Sequence, residues 1–232
     1  MKLLALDCSG LVAGVAVVED DRLLGEYSID YKKTHSETLL AMLDDLAKRI
    51  ELSLDSLDAV AVAGGPGSFT GLRIGSATAK GLGLALDLPI ISVPTVDALA
   101  YNLYGHGRLV CPLMDARRNQ TYTGLYAFAD GKMQILRTQR AVEIGWIVGG
   151  INVLQQPVTF LGDGTGVFRE YLKEHCAVPY DFAPAHMNRQ RAASVAALAE
   201  EYYRDGRTET AQGHVPQYLR LSQAERERLQ KR

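Results

Sequence analysis

Apolar positions near the start of the chain fall in short runs, each closed by an acid or a glycine. Leu3-Leu4-Ala5-Leu6 ends at Asp7, Val12–Val18 is rich in valine, and Leu23–Ile29 follows a turn at Asp20-Asp21. Runs of this length and linkage predict three strands in an antiparallel meander. The period then changes. Leu39, Leu40, Leu43, Leu46, Ala47 and Ile50 recur at helical spacing, with Asp44, Asp45, Lys48 and Arg49 on the opposite face. Thr34 and Glu37 fit a capping box at the start of this helix. A strand over Leu57–Ala63, a helix reaching about Leu86, a strand over Pro89–Val93 and a short helix from Thr95 to about Tyr104 complete the first half.

The pattern restarts at Leu109. Leu109–Asp115 is an apolar run ending in an acid, as Leu3–Asp7 is. Strands are predicted over Thr121–Ala127 and Met133–Arg137 around an Asp130-Gly131 turn, and over Val158–Leu161 before Gly162-Asp163-Gly164. Helices are predicted over Val167–Glu174 and Ala192–Arg204. Order is duplicated, though sequence is not. This predicts two related α/β lobes, 1–104 and 105–221, divided near Gly105-His106-Gly107. A charged tail over 222–232 is expected to fray or to form an exposed helix.

Composition narrows the function classes. Of 232 residues, 47% are hydrophobic, yet no apolar run approaches the roughly 18 residues of a membrane span. An acid at position 7 argues against a signal peptide. The net charge of −2 supplies no global field for nucleic acid, so any RNA contact is local or comes through a partner. Cys8, Cys111 and Cys176 form no CxxC pair and read as reduced, buried thiols of a cytoplasmic protein. Arg189, Arg191, Arg204, Arg207, Arg220, Arg226, Arg228, Lys231 and Arg232 make the C-terminal part locally basic, diluted by Glu200, Glu201, Glu225 and Glu227. A solvated face is the default for such a patch, and an RNA-facing surface is the alternative.

One stretch stands out, GGPGSFTGLRIG at Gly64–Gly75. It fails the templates it evokes. A phosphate loop needs Gly-Lys at a fixed distance, a dinucleotide loop needs GxGxxG, and a nucleophile elbow needs GxSxG. A strand-to-helix turn capped by Ser68 explains the loop. It leaves Gly71, Gly75, Gly81 and Gly83 unexplained, since each costs about 0.8–1.0 kcal/mol relative to alanine inside a helix. Gly71, Gly75, Ala79 and Gly83 share one face at intervals of four, which thins the helix there. Another backbone can then come close, either the protein's own sheet or a helix of another chain.

Several segments together resemble one family: LALDCS, HSETLL, GPGSFTGLRIG, PLMDARRNQTY and PQYLR. The chain is similar over nearly its whole length to the TsaB (YeaZ) family of tRNA threonylcarbamoyladenosine biosynthesis proteins, related to TsaD. The resemblance implies an actin/Hsp70/sugar-kinase-like (ASKHA) fold, each lobe a mixed sheet flanked by helices. It further implies a non-catalytic subunit with no cofactor. Such a subunit would support a TsaD-type catalytic subunit and a TsaE-type ATPase in transferring threonylcarbamoyl from its adenylate to tRNA adenosine. It would meet tRNA indirectly and form a homodimer when alone. Cys8-Ser9-Gly10 departs from the family's usual Thr-Ser-Thr and weakens any case for chemistry near Asp7.

On this reading Leu39, Leu43, Gly71, Gly75, Ala79 and Gly83 are the expected partner interface. Asp7, Ser9, Asp115, Gly162 and Gly164 are the expected remnant of a nucleotide site, flanked by Arg117 and Arg118. The alternative is an ATP-binding or ATP-hydrolysing enzyme using Asp7 and Asp115. TsaD-like proteins hold a metal through an HxxxH pair, where this chain has Thr95 and Leu99, so no metal is expected. Asp7, His35 and Ser68 can be assembled on paper into a hydrolase triad, without an elbow to support it.

Overall fold

Strand β1 (Lys2–Asp7) sends alternate side chains to opposite faces, and both faces are covered. Leu4 and Leu6 join one core, while Leu3 and Ala5 join another. The chain builds a central sheet around β1, seen in a computed structural model that describes residues 1–31 and 35–220. Strands β2 (Ala13–Glu19) and β3 (Arg22–Ile29) continue from β1 as the predicted antiparallel meander. Strands β4 (Ala59–Gly65) and β5 (Ile90–Pro94) add in parallel on its other side, giving the order β3-β2-β1-β4-β5.

Helices α1 (His35–Arg49) and α2 (Phe69–Leu86) cover one face of this sheet, over Leu4, Leu6, Val15, Val17, Val60 and Val62. Thr34, the expected cap of α1, lies outside the described residues. The second lobe contains β6 (Leu109–Asp115), β7 (Gln120–Ala129), β8 (Lys132–Glu143), β9 (Val158–Leu161) and β10 (Tyr180–Phe182). Their order is β10-β9-β6-β7-β8, the first sheet's order repeated strand for strand.

Helix α3 (Thr95–Tyr101) lies between the two sheets. Val96, Leu99 and Ala100 pack with Val110, Met114 and Leu161 of the second lobe, while Ala98 packs into the first. Helices α4 (Ile144–Leu154), α5 (Gly164–Val167) and α6 (Arg169–His175) belong to the second lobe. Ile147, Ile151 and Leu172 close the far face of its sheet.

The last helix corrects the expected partition. α7 (Ala192–Arg204) packs on the first sheet, its Val195, Leu198 and Ala199 against Leu3, Ala5, Ala61 and Ala63. Small side chains on β4 and α7 let helix and sheet approach closely. Beyond it, Glu209 bridges to Ile90 on β5. The segment 105–221 is therefore not one lobe, since the chain returns to the first lobe at about Arg191. The same return uses the arginines that suggested a basic patch. Arg191 pairs with Glu26, Arg204 with Asp21, and Arg189 with Asp30. Arg207 stacks on Tyr202 at 3.4 Å. The tail at 222–232 lies outside the described residues.

Candidate functional site

The glycine loop serves its own backbone. Gly65 has φ +108°, and a Cβ there would sit 2.3 Å from the Gln217 carbonyl oxygen. A Cβ on Gly67 would lie 2.2 Å from the Ser9 carbonyl oxygen, and one on Gly71 only 1.9 Å from that of Cys8. Ser68 N–H donates to Ser9 O at 2.7 Å. Ser68 also caps α2, its hydroxyl oxygen accepting from Gly71 N–H at 3.3 Å. Bare backbone is needed because the β1–β2 connection and residue 217 both press on this turn.

The thin stripe of α2 therefore faces inward, correcting the expectation that it is a docking surface. Gly71, Gly75 and Gly83 are buried, and Ala79 is fully buried. A Cβ on Gly75 would meet Val62 and Cys8, and one on Gly83 would meet Ala211 and Ile90. Leu39 and Leu43, expected to lend area to a partner, are 1% and 6% exposed in the first core. What α1 and α2 present outward is different. Leu40 is 58% exposed and Leu84 56%. Gly81 has open space where a Cβ would be, and Ala77 and Ala85 share its exposed face.

Between the lobes lies a cleft of about 850 Å³. Its walls are the Ser9–Leu11 connection, His35, the Gly67–Phe69 turn, Asp115–Arg118, Asp163 and the segment Tyr218–Arg220. The expected nucleotide residues divide here. Ser9 and Asp115 line the cleft, whereas Asp7, Gly162 and Gly164 do not. Asp7 is 1% exposed and accepts hydrogen bonds from Ser9 N–H (2.8 Å) and Ser9 O–H (2.6 Å). Burial raises its carboxyl to about 6, against the opposing pull of the Ser9 bonds. Asp115 pairs with Arg117 at 3.2 Å, and Asp115 N–H donates to Asp163 Oδ1 at 3.2 Å. Burial also raises Asp163. Gly162 (φ +105°) and Gly164 lie against the Leu113 carbonyl, where a Cβ on either would intrude. They pack α5 onto β6.

The paper triad does not assemble. His35 Nε2–H donates to Gly10 O at 2.9 Å, Ser68 caps α2, and Asp7 holds Ser9. Thr95 accepts from Gly65 N–H at 3.1 Å and Leu99 is core, so both sites of the missing histidine pair are structural. No motif or spacing points to a buried line that joins Ser76, His214 and Glu209. His214 Nδ1–H donates to Glu209 at 2.7 Å, and Ser76 O–H reaches His214 Nε2 at 2.7 Å. Both Ser76 and His214 are buried away from the cleft, so the line fastens residues 209–214 to α2. Lys80 Nζ adds to it through the Gln212 and His214 carbonyls. Cys8 and Cys111 are buried and free. Burial pushes both thiols up, Cys111 to about 12, which disfavours the reactive thiolate.

Two lobes with one strand order, a mixed sheet in each and a cleft between them define an actin/Hsp70/sugar-kinase-like protein. The family profile described as "TsaD: tRNA N6-adenosine threonylcarbamoyltransferase" matches residues 23–228. The tRNA threonylcarbamoyladenosine biosynthesis protein TsaB of Bacillus subtilis is 33% identical over 97% of this chain and 96% of its own. TsaB of Haemophilus influenzae is 35% identical over 53% of this chain and 52% of its own. The solved structure of YeaZ from Pseudomonas aeruginosa superposes with a TM-score of 0.80 and 26% identity, covering 94% of this chain and 100% of that one. The chain belongs to the TsaB (YeaZ) family of tRNA threonylcarbamoyladenosine biosynthesis proteins. Among the described residues, no helix is long and apolar enough to cross a membrane.

Proposed function

We propose that this protein is a non-catalytic scaffold in the formation of threonylcarbamoyladenosine on tRNA, docking on a TsaD-type catalytic subunit that works with a TsaE-type ATPase. The observation that carries this reading is the outer face of α1 and α2. Leu40 and Leu84 stand more than half exposed there. One turn before Leu84, Gly81 costs α2 about 0.8–1.0 kcal/mol while nothing among the described residues lies within 4 Å of a Cβ built there. Small residues flanked by exposed leucines suit a close helix–helix contact with another polypeptide. The same face, placed about a two-fold axis, gives a homodimer when the partner is absent.

The test is co-purification with a TsaD-type subunit, followed by reconstituted modification of tRNA. Leu40→Asp with Leu84→Asp should abolish association and modification while the variant still unfolds cooperatively at the wild-type temperature. Unchanged association would remove this face from the reading. The alternative, an ATP-hydrolysing enzyme using Asp7 and Asp115, has the cleft in its favour. Against it, Asp7 is engaged by Ser9 and sits behind the cleft wall. Calorimetric titration with ATP and Mg²⁺ separates the two. Turnover by the isolated chain, abolished by Asp115→Ala, would establish the enzyme.

A further inference from the structure

The rim of the cleft combines two kinds of group that the scaffold role does not use. The first is aromatic. Tyr31 is 71% exposed, and the rings of Phe69 and Tyr218 lie 4.6 Å apart, tilted by 35°. These residues come from segments far apart in sequence, yet all three line the same cleft. The second is cationic. Arg117, Arg118 and Arg220 line the same cleft, and Arg220 donates to the Arg117 carbonyl at 3.3 Å. Arg117, Arg118 and Asn119 hold three successive left-handed conformations, with φ of 65°, 55° and 57°. They close the antiparallel β6–β7 hairpin, where left-handed residues are usual, and the turn carries the two guanidinium groups to the cleft. Arg117 is paired with Asp115, whereas Arg118 is exposed with no ion-pair partner among the described residues.

Charge lies where an extended anion would meet it. The cations stand on the exposed rim, and the acid Asp163 is sunk below them. A compact polyphosphate bound on the floor would need backbone donors from the β1–β2 connection. There Ser9 N–H already donates to Asp7. Separated aromatic faces and rim guanidinium groups are instead the arrangement that holds single-stranded nucleic acid, with bases stacked on rings and phosphates on arginine. Past Arg220 the sequence adds Arg226, Arg228, Lys231 and Arg232 against Glu225 and Glu227.

We infer that the rim of the cleft binds a single-stranded segment of RNA directly, stacking bases on the exposed rings of Tyr31 and Tyr218, with Phe69 already covered by Arg73 and Tyr218, and seating phosphates on Arg118 and Arg220. This rests on the tRNA-modification reading and extends it, since the scaffold itself would then touch the nucleic acid. A duplex cannot offer unstacked bases to these rings, so the occupant is a loop or an unpaired end.

The experiment is fluorescence anisotropy at low salt with the full chain and a labelled hairpin RNA bearing a single-stranded loop. The same stem as a blunt duplex, and ADP with Mg²⁺ as competitor, serve as controls. The hairpin should bind with an affinity that falls as salt rises. Tyr31→Ala and Arg118→Glu should each weaken it about tenfold with the melting temperature unchanged, and Arg118→Lys should restore most of the binding. No binding at low salt, equal binding of the duplex, or indifference to both variants would overturn the inference. So would displacement of the hairpin by ADP–Mg²⁺, which would give the cleft to a mononucleotide. Failed reconstitution with the catalytic subunit while the hairpin still binds would count against the scaffold reading alone. Full reconstitution without hairpin binding would count against this inference alone.

Discussion

Asp7 is the residue whose position and chemistry disagree most. Its place at the end of β1 made it an expected remnant of a nucleotide site, yet its carboxylate is turned onto Ser9 and closed off from the cleft. Burial holds its carboxyl at about 6, above the 3.8 of an exposed aspartate. The folded chain therefore keeps a proton that the unfolded chain releases. Stability falls as pH rises from about 4 to about 6, and by neutral pH the cost reaches about 3 kcal/mol. Asp7→Asn removes this dependence. In denaturant titrations the variant should gain about 2 kcal/mol on wild type between pH 4 and pH 7. Asp97 and Asp163, raised in the same direction by burial, are present in both proteins and cancel in the comparison. Parallel stability curves would show that Asp7 is as acidic in the folded chain as in the unfolded one.

At the scale of elements, α2 shows how far a sequence pattern can be read. The spacing of Gly71, Gly75, Ala79 and Gly83 reveals a thin face. It says nothing about which neighbour the face meets, because a sheet and a foreign helix ask for the same absence of side chains. The neighbour is the Cys8 carbonyl on one turn and Ala211 with Ile90 three turns on. Two alanine substitutions separate these environments. Gly71→Ala should destabilise by about 3 kcal/mol or more, since a backbone oxygen stands 1.9 Å from the new methyl and cannot yield. Gly81→Ala should stabilise the isolated chain by about 0.8–1.0 kcal/mol, having nothing within 4 Å. Thermal melts of the two variants read both signs.

Strands and helices with a clear period were legible: β1 to β3, β9 and α7 fall within a residue or so of where alternation and helical spacing place them. Helix α4 was not, because Ile144–Leu154 has no charged residue and two adjacent glycines, and so shows no polar face to set a period. Of the residues read from the sequence as a remnant nucleotide site, Ser9 and Asp115 line the cleft, whereas Asp7, Gly162 and Gly164 do not. The aromatic rim was not legible, for Phe69 meets Tyr218 only through the return of the chain.

For the whole molecule the decisive feature is that return. α7 covers Leu3, Ala5, Ala59, Ala61 and Ala63, and the Ser76–His214–Glu209 line fastens the segment after it. Removing everything after Gln190 should leave one full sheet face bare. Such a fragment should bind hydrophobic dye and lose cooperative unfolding, while the second sheet keeps its own helices. A monodisperse fragment with a sharp melt would mean that α7 contributes little.

The same arrangement governs how the protein is made. The strands of the first sheet are translated well before α7, the helix that covers them, so that face stays sticky while the intervening second lobe is being synthesised. Burden on chaperones during translation is thus written into the connectivity.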